Sequence, residues 1–268
     1  MTGGRTDRAP TALWVPAAVA VVFLVLPLIG LLARAPWANL GGYLGDPRVT
    51  EALRLSVVCS LGSLGVAIVL GVPLAWLLAR RDFRGRSLVR ALVTLPLVLP
   101  PVVGGVALLL AFGRNGVLGP PLDAIGVHLP FTTAGAVVAG AFVAMPFLVL
   151  AVEGAIAGLD ERYEEVAATL GSSPWRVFRS VTLPLVGPGL AAGAALAWAR
   201  ALGEFGATIT FAGNLPGETQ TLPLAVYLLL QEDPDAATAI SLLLLAVSVV
   251  VLVTLRGRWL STARRGES

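Results

Sequence analysis

Charge is what this 268-residue chain has little of. Only 13% of its residues are charged, Lys is absent, and all 19 basic residues are Arg. A soluble domain carries about 25% charge, so the chain has no polar skin for a water-exposed globule of its length. With 56% hydrophobic residues and a mean hydropathy of +0.85, this excludes a cytosolic enzyme, a nucleic-acid binder and a disordered protein, and leaves an integral membrane protein. The pI of about 9.7 reflects a net charge of only +3. The lone Cys59 excludes an intrachain disulfide. The single His128, in a loop with Asp123, makes no metal constellation. No G-x-x-x-x-G-K-[ST] loop is present to cradle phosphates, and no H-E-x-x-H or G-x-S-x-G supplies a catalytic set. The expectation is a chain that is not an enzyme and binds no cofactor of its own.

What is present are long apolar runs. A bilayer core of about 30 Å needs about 20 apolar helical residues. Residues 13–32, 56–78, 88–112, 133–152 and 238–255 satisfy this, and 183–209 is long enough but carries Arg200 and Glu204. The patch 221–230 is too short to span and is read as a helix lying at the outer surface or dipping into it. The expected fold is an all-α membrane protein of six transmembrane helices, a single domain over residues 1–268. Six spans place both termini on one side. The N-terminus, the loops 79–90 and 153–182 and the C-terminal tail together hold 14 Arg. The opposite side holds four, Arg34, Arg48, Arg54 and Arg114, while acidic residues divide 8 to 7. Only the positive charge is asymmetric, so the Arg-rich side is the cytoplasm.

Two spans carry features that lipid does not tolerate. Pro96, Pro100 and Pro101, followed by Gly104-Gly105, must kink or interrupt the third. Composition leaves open whether it lines a pathway or is a kinked structural helix. Arg200 and Glu204 share a face at i and i+4, in the weaker of the two orientations for such a pair. They must face protein rather than lipid, either as a structural ion pair or with Arg200 guiding an anion. Gly189 and Gly193 make a small-xxx-small pair suited to close helix packing.

The loop 160–182 reads as two short helices at a Gly bend. Asp160 caps the first, whose opening turn holds Glu161, Glu164 and Glu165. Gly171 stops it, and Ser173 caps the second, with Pro174 at its first position. Ala167 and Ala168 beside the bend let another protein approach. An ordinary amphipathic connector is the competing reading of the same residues.

Glu165-Val166-Ala167, three residues, Gly171, nine residues, then Val181-Thr182-Leu183-Pro184 resembles the EAA motif of ABC-importer permeases, with Val166 and Val181 as the departures. The stretch ARALGEFGATITFAGNLPGETQTLPLAVY, residues 199–227, is similar to molybdate ABC-importer permeases, as is the Pro run of the third span. Sulfate/thiosulfate permeases share the Leu-Gly-Glu-Phe-Gly core. The resemblance implies an ABC type I importer fold and import of molybdate or tungstate by alternating access. It implies a second copy of the chain, two cytoplasmic ATPase subunits that bind the ATP, and an extracytoplasmic oxyanion-binding protein. It implies that Glu164, Glu165, Ala167, Ala168, Gly171 and Arg176 couple to the ATPase, with multi-pass residence in the cell (inner) membrane. A sulfate/thiosulfate permease and an ion-coupled secondary transporter are the alternatives, the second with Arg200 and Glu204 as a thin set of intramembrane ionisable groups.

Overall fold

The computed structural model describes residues 13–263, with side chains to Val253. Arg5, Arg8, Arg264 and Arg265 of the charge asymmetry lie outside the described residues, and Arg256 and Arg258 outside the described side chains. The described residues are helical, without strands.

Helix α1, Trp14–Ala33, is apolar along its length and buries no residue against the rest of the chain. After a 3₁₀ turn, Trp37–Asn39, and the short α2, Leu40–Leu44, comes α3, Pro47–Arg80. Asp46 starts α3 by accepting from the Arg48 amide at 2.8 Å, with Pro47 in the first turn. The Arg48 side chain also bonds this carboxyl and holds its pKa below the usual carboxylate range. At 34 residues α3 is about 51 Å long, well beyond the bilayer core. The remaining long helices are α7, Thr133–Ala157, started by the Thr132 hydroxyl accepting from Gly135 N, and α14, Pro234–Ala263, started by Asp233.

Four described helices, α1, α3, α7 and the part of α14 to Val253, are long and apolar enough to cross a membrane. The expected third span, 88–112, is interrupted. It forms α4, Arg86–Val98, and α5, Pro101–Phe112. Pro96 is accommodated inside α4, and the break falls at Leu99 and Pro100, both extended at ψ 130°. Each precedes a proline, and the ring of the following proline forces that conformation. A short α6, Gly119–Ala124, follows.

The expected span 183–209 is more divided than its hydropathy suggests. The segment Pro174–Leu185 meets α11, Gly187–Leu202, at a 74° bend; counting that bent pair as one span brings the number to five. Beyond α11 the chain breaks at 203–205 and resumes as α12, Gly206–Phe211. The patch 221–230 is a helix, α13, Leu222–Glu232, packed on α3 and α14.

The core lies where α3, α7 and α11 meet, around Ala67, Leu78, Leu148, Val152 and Ala197. Lipid-like surroundings give helices no hydrophobic reason to associate, so short contacts between small residues do the work. A Cβ at Gly189 would sit 2.5 Å from Ala155 Cβ, and one at Gly193 2.7 Å from Ala151 Cβ. One at Gly140 would sit 2.4 Å from Ser63 Oγ, and that hydroxyl lies 2.8 Å from the Val137 carbonyl of α7. Gly193→Ala is therefore expected to cost about 1–3 kcal/mol by overpacking. Gly65→Ala, whose Cβ would meet nothing within 4 Å, should be neutral or stabilising by helix propensity. Thermal unfolding in detergent distinguishes them; equal midpoints would refute the α7–α11 contact.

Candidate functional site

The loop after α7 contains α8, Arg162–Thr169. Asp160 Oδ1 accepts from Arg162 N at 3.0 Å, which supplies the expected cap. At the other end Gly171 is left-handed at φ +84°. Its amide bonds the Ala168 carbonyl at 2.9 Å and Ser172 N bonds the Ala167 carbonyl at 3.1 Å. This is the paired closure of a Schellman stop, which strongly favours glycine at that position. The second helix, α9, is a single turn, Pro174–Val177. Ser173 makes no side-chain cap there, contrary to expectation, and only its carbonyl receives Val177 N. The chain then widens into a π turn, Phe178–Thr182, before α10, Leu183–Leu185, and the bend into α11.

The structure separates the two acidic residues assigned to this loop. Glu165 is exposed, as are Ala168, Gly171 and Arg176, while Ala167 is half-buried. Glu164 turns inward. Its carboxylate lies 2.8 Å from Arg80 Nε at the end of α3 and accepts from the Thr182 hydroxyl. In the sequence Arg80 is one orienting charge among several. Its Nη1 also lies 3.3 Å from Glu161, and Nη2 donates to the Leu159 carbonyl at 3.2 Å. A second unanticipated pair joins α4 to α7, where Arg90 Nε donates to the buried Glu153 at 3.0 Å. Pairing of buried charges is the rule, but the partners lie 60 to 85 residues apart and no local spacing announces them.

On its outer side the loop presents apolar groups. Tyr163, Val166 and Leu170 of the α8 region are exposed, Leu170 at 81%, and Trp175 of α9 at 69%. Trp175 stacks on Phe178 at 5.7 Å, and Phe178 meets the edge of Trp76 from α3 at 6.3 Å. Exposed large apolar groups beside a rigid backbone turn suit a docking surface.

The membrane-embedded charges come together as expected, with Arg200 Nη2 2.7 Å from Glu204 Oε2. Glu204 is 2% exposed, and its other oxygen accepts from Ala207 N at 2.8 Å, inside the first turn of α12. The carboxylate thus also anchors the helix that resumes after the 203–205 break, where the positive end of the helix favours it. The proline-rich span meets the same place. A Cβ at Gly105 would lie 2.5 Å from Thr210 Cβ, and one at Gly206 2.7 Å from Pro101 Cβ. The Pro100-Pro101 break and the glycines after it therefore let α5 approach α12 closely. Beyond α12, the loop to α13 is closed by Thr219 Oγ1 accepting from Leu215 N at 2.9 Å, and Leu222 N donates to Ser56 Oγ of α3 at 2.7 Å. His128 sits 3.1 Å from Asp123 in an exposed loop, and no metal-binding cluster occurs among the described residues.

Apolar helices long enough to span a bilayer, one bent helix pair and a glycine-turned loop between them are the build of a helical membrane domain. The family model for binding-protein-dependent transport system inner membrane components matches residues 67–262. The chain is 47% identical to the molybdenum transport system permease protein ModB of Mycobacterium tuberculosis (strain H37Rv), covering 93% of this chain and 94% of that one. It is 42% identical to ModB of Escherichia coli K12 (83% and 97% covered) and 38% identical to the sulfate transport system permease protein CysT of the same strain (87% and 86%). Among solved structures, a bacterial alginate ABC transporter in complex with its periplasmic protein superposes at a TM-score of 0.73 with 19% identity, covering 91% of each chain, and so supports the fold. The chain belongs to the family of binding-protein-dependent transport system inner membrane components, and it is a multi-pass membrane transport subunit rather than an enzyme.

Arg200→Ala strands a buried carboxylate and should lower the thermal midpoint more than the double change Arg200→Ala/Glu204→Gln, which removes the charge and keeps the oxygen that caps α12. A double variant no more stable than Arg200→Ala would argue against the ion pair.

Proposed function

We propose that this chain is the permease subunit of an ATP-driven importer of molybdate, with tungstate as the related oxyanion, working by alternating access. The observation that carries the reading is the loop 160–182, whose Gly171 turn holds an exposed apolar ridge between α7 and the bend into α11. In this reading Glu165, Ala167, Ala168, Gly171 and Arg176 meet a cytoplasmic ATPase, and Glu164 holds the loop from within. The ATPase binds and hydrolyses the ATP, and the bend into α11 carries its movement into the membrane.

Two copies of the chain form the pathway. Helix α1 buries nothing on its own chain and α5 exposes Val102, Val103, Val106 and Leu110, surfaces available to lipid and to a second copy. Helices α5 and α12 meet at Gly105 and Gly206, next along the chain to the Arg200–Glu204 pair. Irregular backbone at membrane depth belongs beside protein or a water-filled cavity, so this junction is assigned to the pathway wall. With α4–α5 counted as a broken span the domain has six, and the Arg excess then puts both termini in the cytoplasm. An extracytoplasmic binding protein delivers the anion on the opposite face, where residues 214–220 and α13 lie. Molybdate is favoured over sulfate because the two molybdenum permeases named above share 42–47% identity with the chain and the sulfate permease 38%.

The experiment is reconstitution of the permease with its ATPase and binding protein in liposomes. Molybdate or tungstate should stimulate ATP hydrolysis and be taken up only with ATP, and sulfate should do neither. Gly171→Arg, which adds a long side chain and a left-handed strain of about 1–2 kcal/mol, should abolish uptake while the permease still inserts. Preferential sulfate uptake would select the sulfate reading, and uptake driven by an ion gradient without ATP would select a secondary transporter.

A further inference from the structure

Five arginines lie at and around the turn between α3 and α4, and Arg80, the last residue of α3, has the most buried side chain of those with an ion-pair partner. Its side chain is only 8% exposed, and every polar group it meets belongs to one distant loop: Glu164 at 2.8 Å, Glu161 at 3.3 Å and the Leu159 carbonyl at 3.2 Å. Glu164 in turn accepts from the hydroxyl of Thr182, which is fully buried in the π turn. One carboxylate therefore joins three segments: the end of α3, helix α8 and the turn that leads to the 74° bend. An apolar contact runs alongside, the edge-to-face approach of Trp76 in α3 to Phe178 in the π turn.

The mechanical consequence follows from desolvation. Drawing α8 away from α3 would leave a mostly buried guanidinium and a mostly buried carboxylate without each other, which is strongly unfavourable. The guanidinium fork is engaged by three acceptors in different directions, a geometry Lys does not reproduce. The loop and the end of α3 are thus constrained to move together, and α3 is the longest described helix, packed along α7 in the core.

We propose that Arg80 is a positioning residue of the transport cycle, the tie through which displacement of α8 reaches α3 and the α3–α7 core. This rests on the importer reading above. Without Arg80 the ATPase still docks on the outward ridge and hydrolyses ATP, and its movement is dissipated in the loop.

The test uses the reconstituted complex of permease, ATPase and binding protein, comparing wild type with Arg80→Ala, Arg80→Lys and Arg80→Ala/Glu164→Gln. Three quantities are read: ATPase retained on purification, hydrolysis without binding protein, and molybdate taken up per ATP hydrolysed. Arg80→Ala should keep the first two within about twofold and lose about tenfold or more in the third. Arg80→Lys should recover part of that loss, and the double variant should be no worse than Arg80→Ala, because the two residues act as a unit. Unchanged uptake per ATP in Arg80→Ala would overturn the proposal. So would loss of the ATPase from both Arg80 single variants, which would make the residue only a brace of the loop. ATP-independent uptake by the wild type would overturn the importer reading, and the proposal with it, and is read without any variant.

Discussion

Lipid tails are as apolar as the side chains they surround, so helices in a bilayer gain little by hiding Leu and Val from them. What holds α3, α7 and α11 together is the closeness that Gly, Ala and Ser permit. Gly189 and Gly193 seat against Ala155 and Ala151, Gly140 against Ser63. These contacts fix the angle and register of three helices, and the functional parts of the molecule are attached to them. The loop 160–182 leaves from the end of α7 and returns through a sharp bend into α11. The arginine that ties that loop down stands at the end of α3. A shift of the α7–α11 contact would displace both ends of the loop relative to Arg80.

The interrupted helices answer a second constraint. An open backbone end in the membrane needs a partner for its freed amides and carbonyls. At the 203–205 break the partner is Glu204, which gives one oxygen to Ala207 N and the other to Arg200. A carboxylate that would be costly alone becomes acceptable because a helix start and a cation share it. The same junction receives α5, brought in by the Pro100-Pro101 break and by Gly105. Two features that stand apart along the chain, the proline-broken helix and the ion pair, are linked through Ala207, whose amide serves Glu204 and whose carbonyl faces Gly105.

Much of this was legible from residue order because its causes are local. Hydropathy located the long helices, and the prolines of 96–101 implied an interruption, whose position was settled by which residues precede a proline. Asp160 and Gly171 announced the two ends of α8 through capping chemistry. The fate of Glu164 was not legible. Beside Glu165 in the sequence it looked like a second docking residue, and only the fold brings Arg80 and Thr182 to it. Arg90 and Glu153 escaped for the same reason, and Arg80 and Arg90, counted as a topological signal, prove to be structural ties as well. The break after Gly203 was hidden because no proline marks it.

In the proposed assembly the ATPase covers the ridge formed by α8 and α9. Leu170, 81% exposed, sits at its tip, and the chain's lone Cys59 is buried, so Leu170→Cys would be the reactive thiol. The direct measurement is the rate of maleimide modification of Leu170→Cys in the purified permease, alone and with its ATPase, beside Val117→Cys in a loop remote from the ridge. The ATPase should strongly slow modification at position 170 and leave the rate at position 117 unchanged. Equal rates at position 170 with and without the ATPase would contradict it.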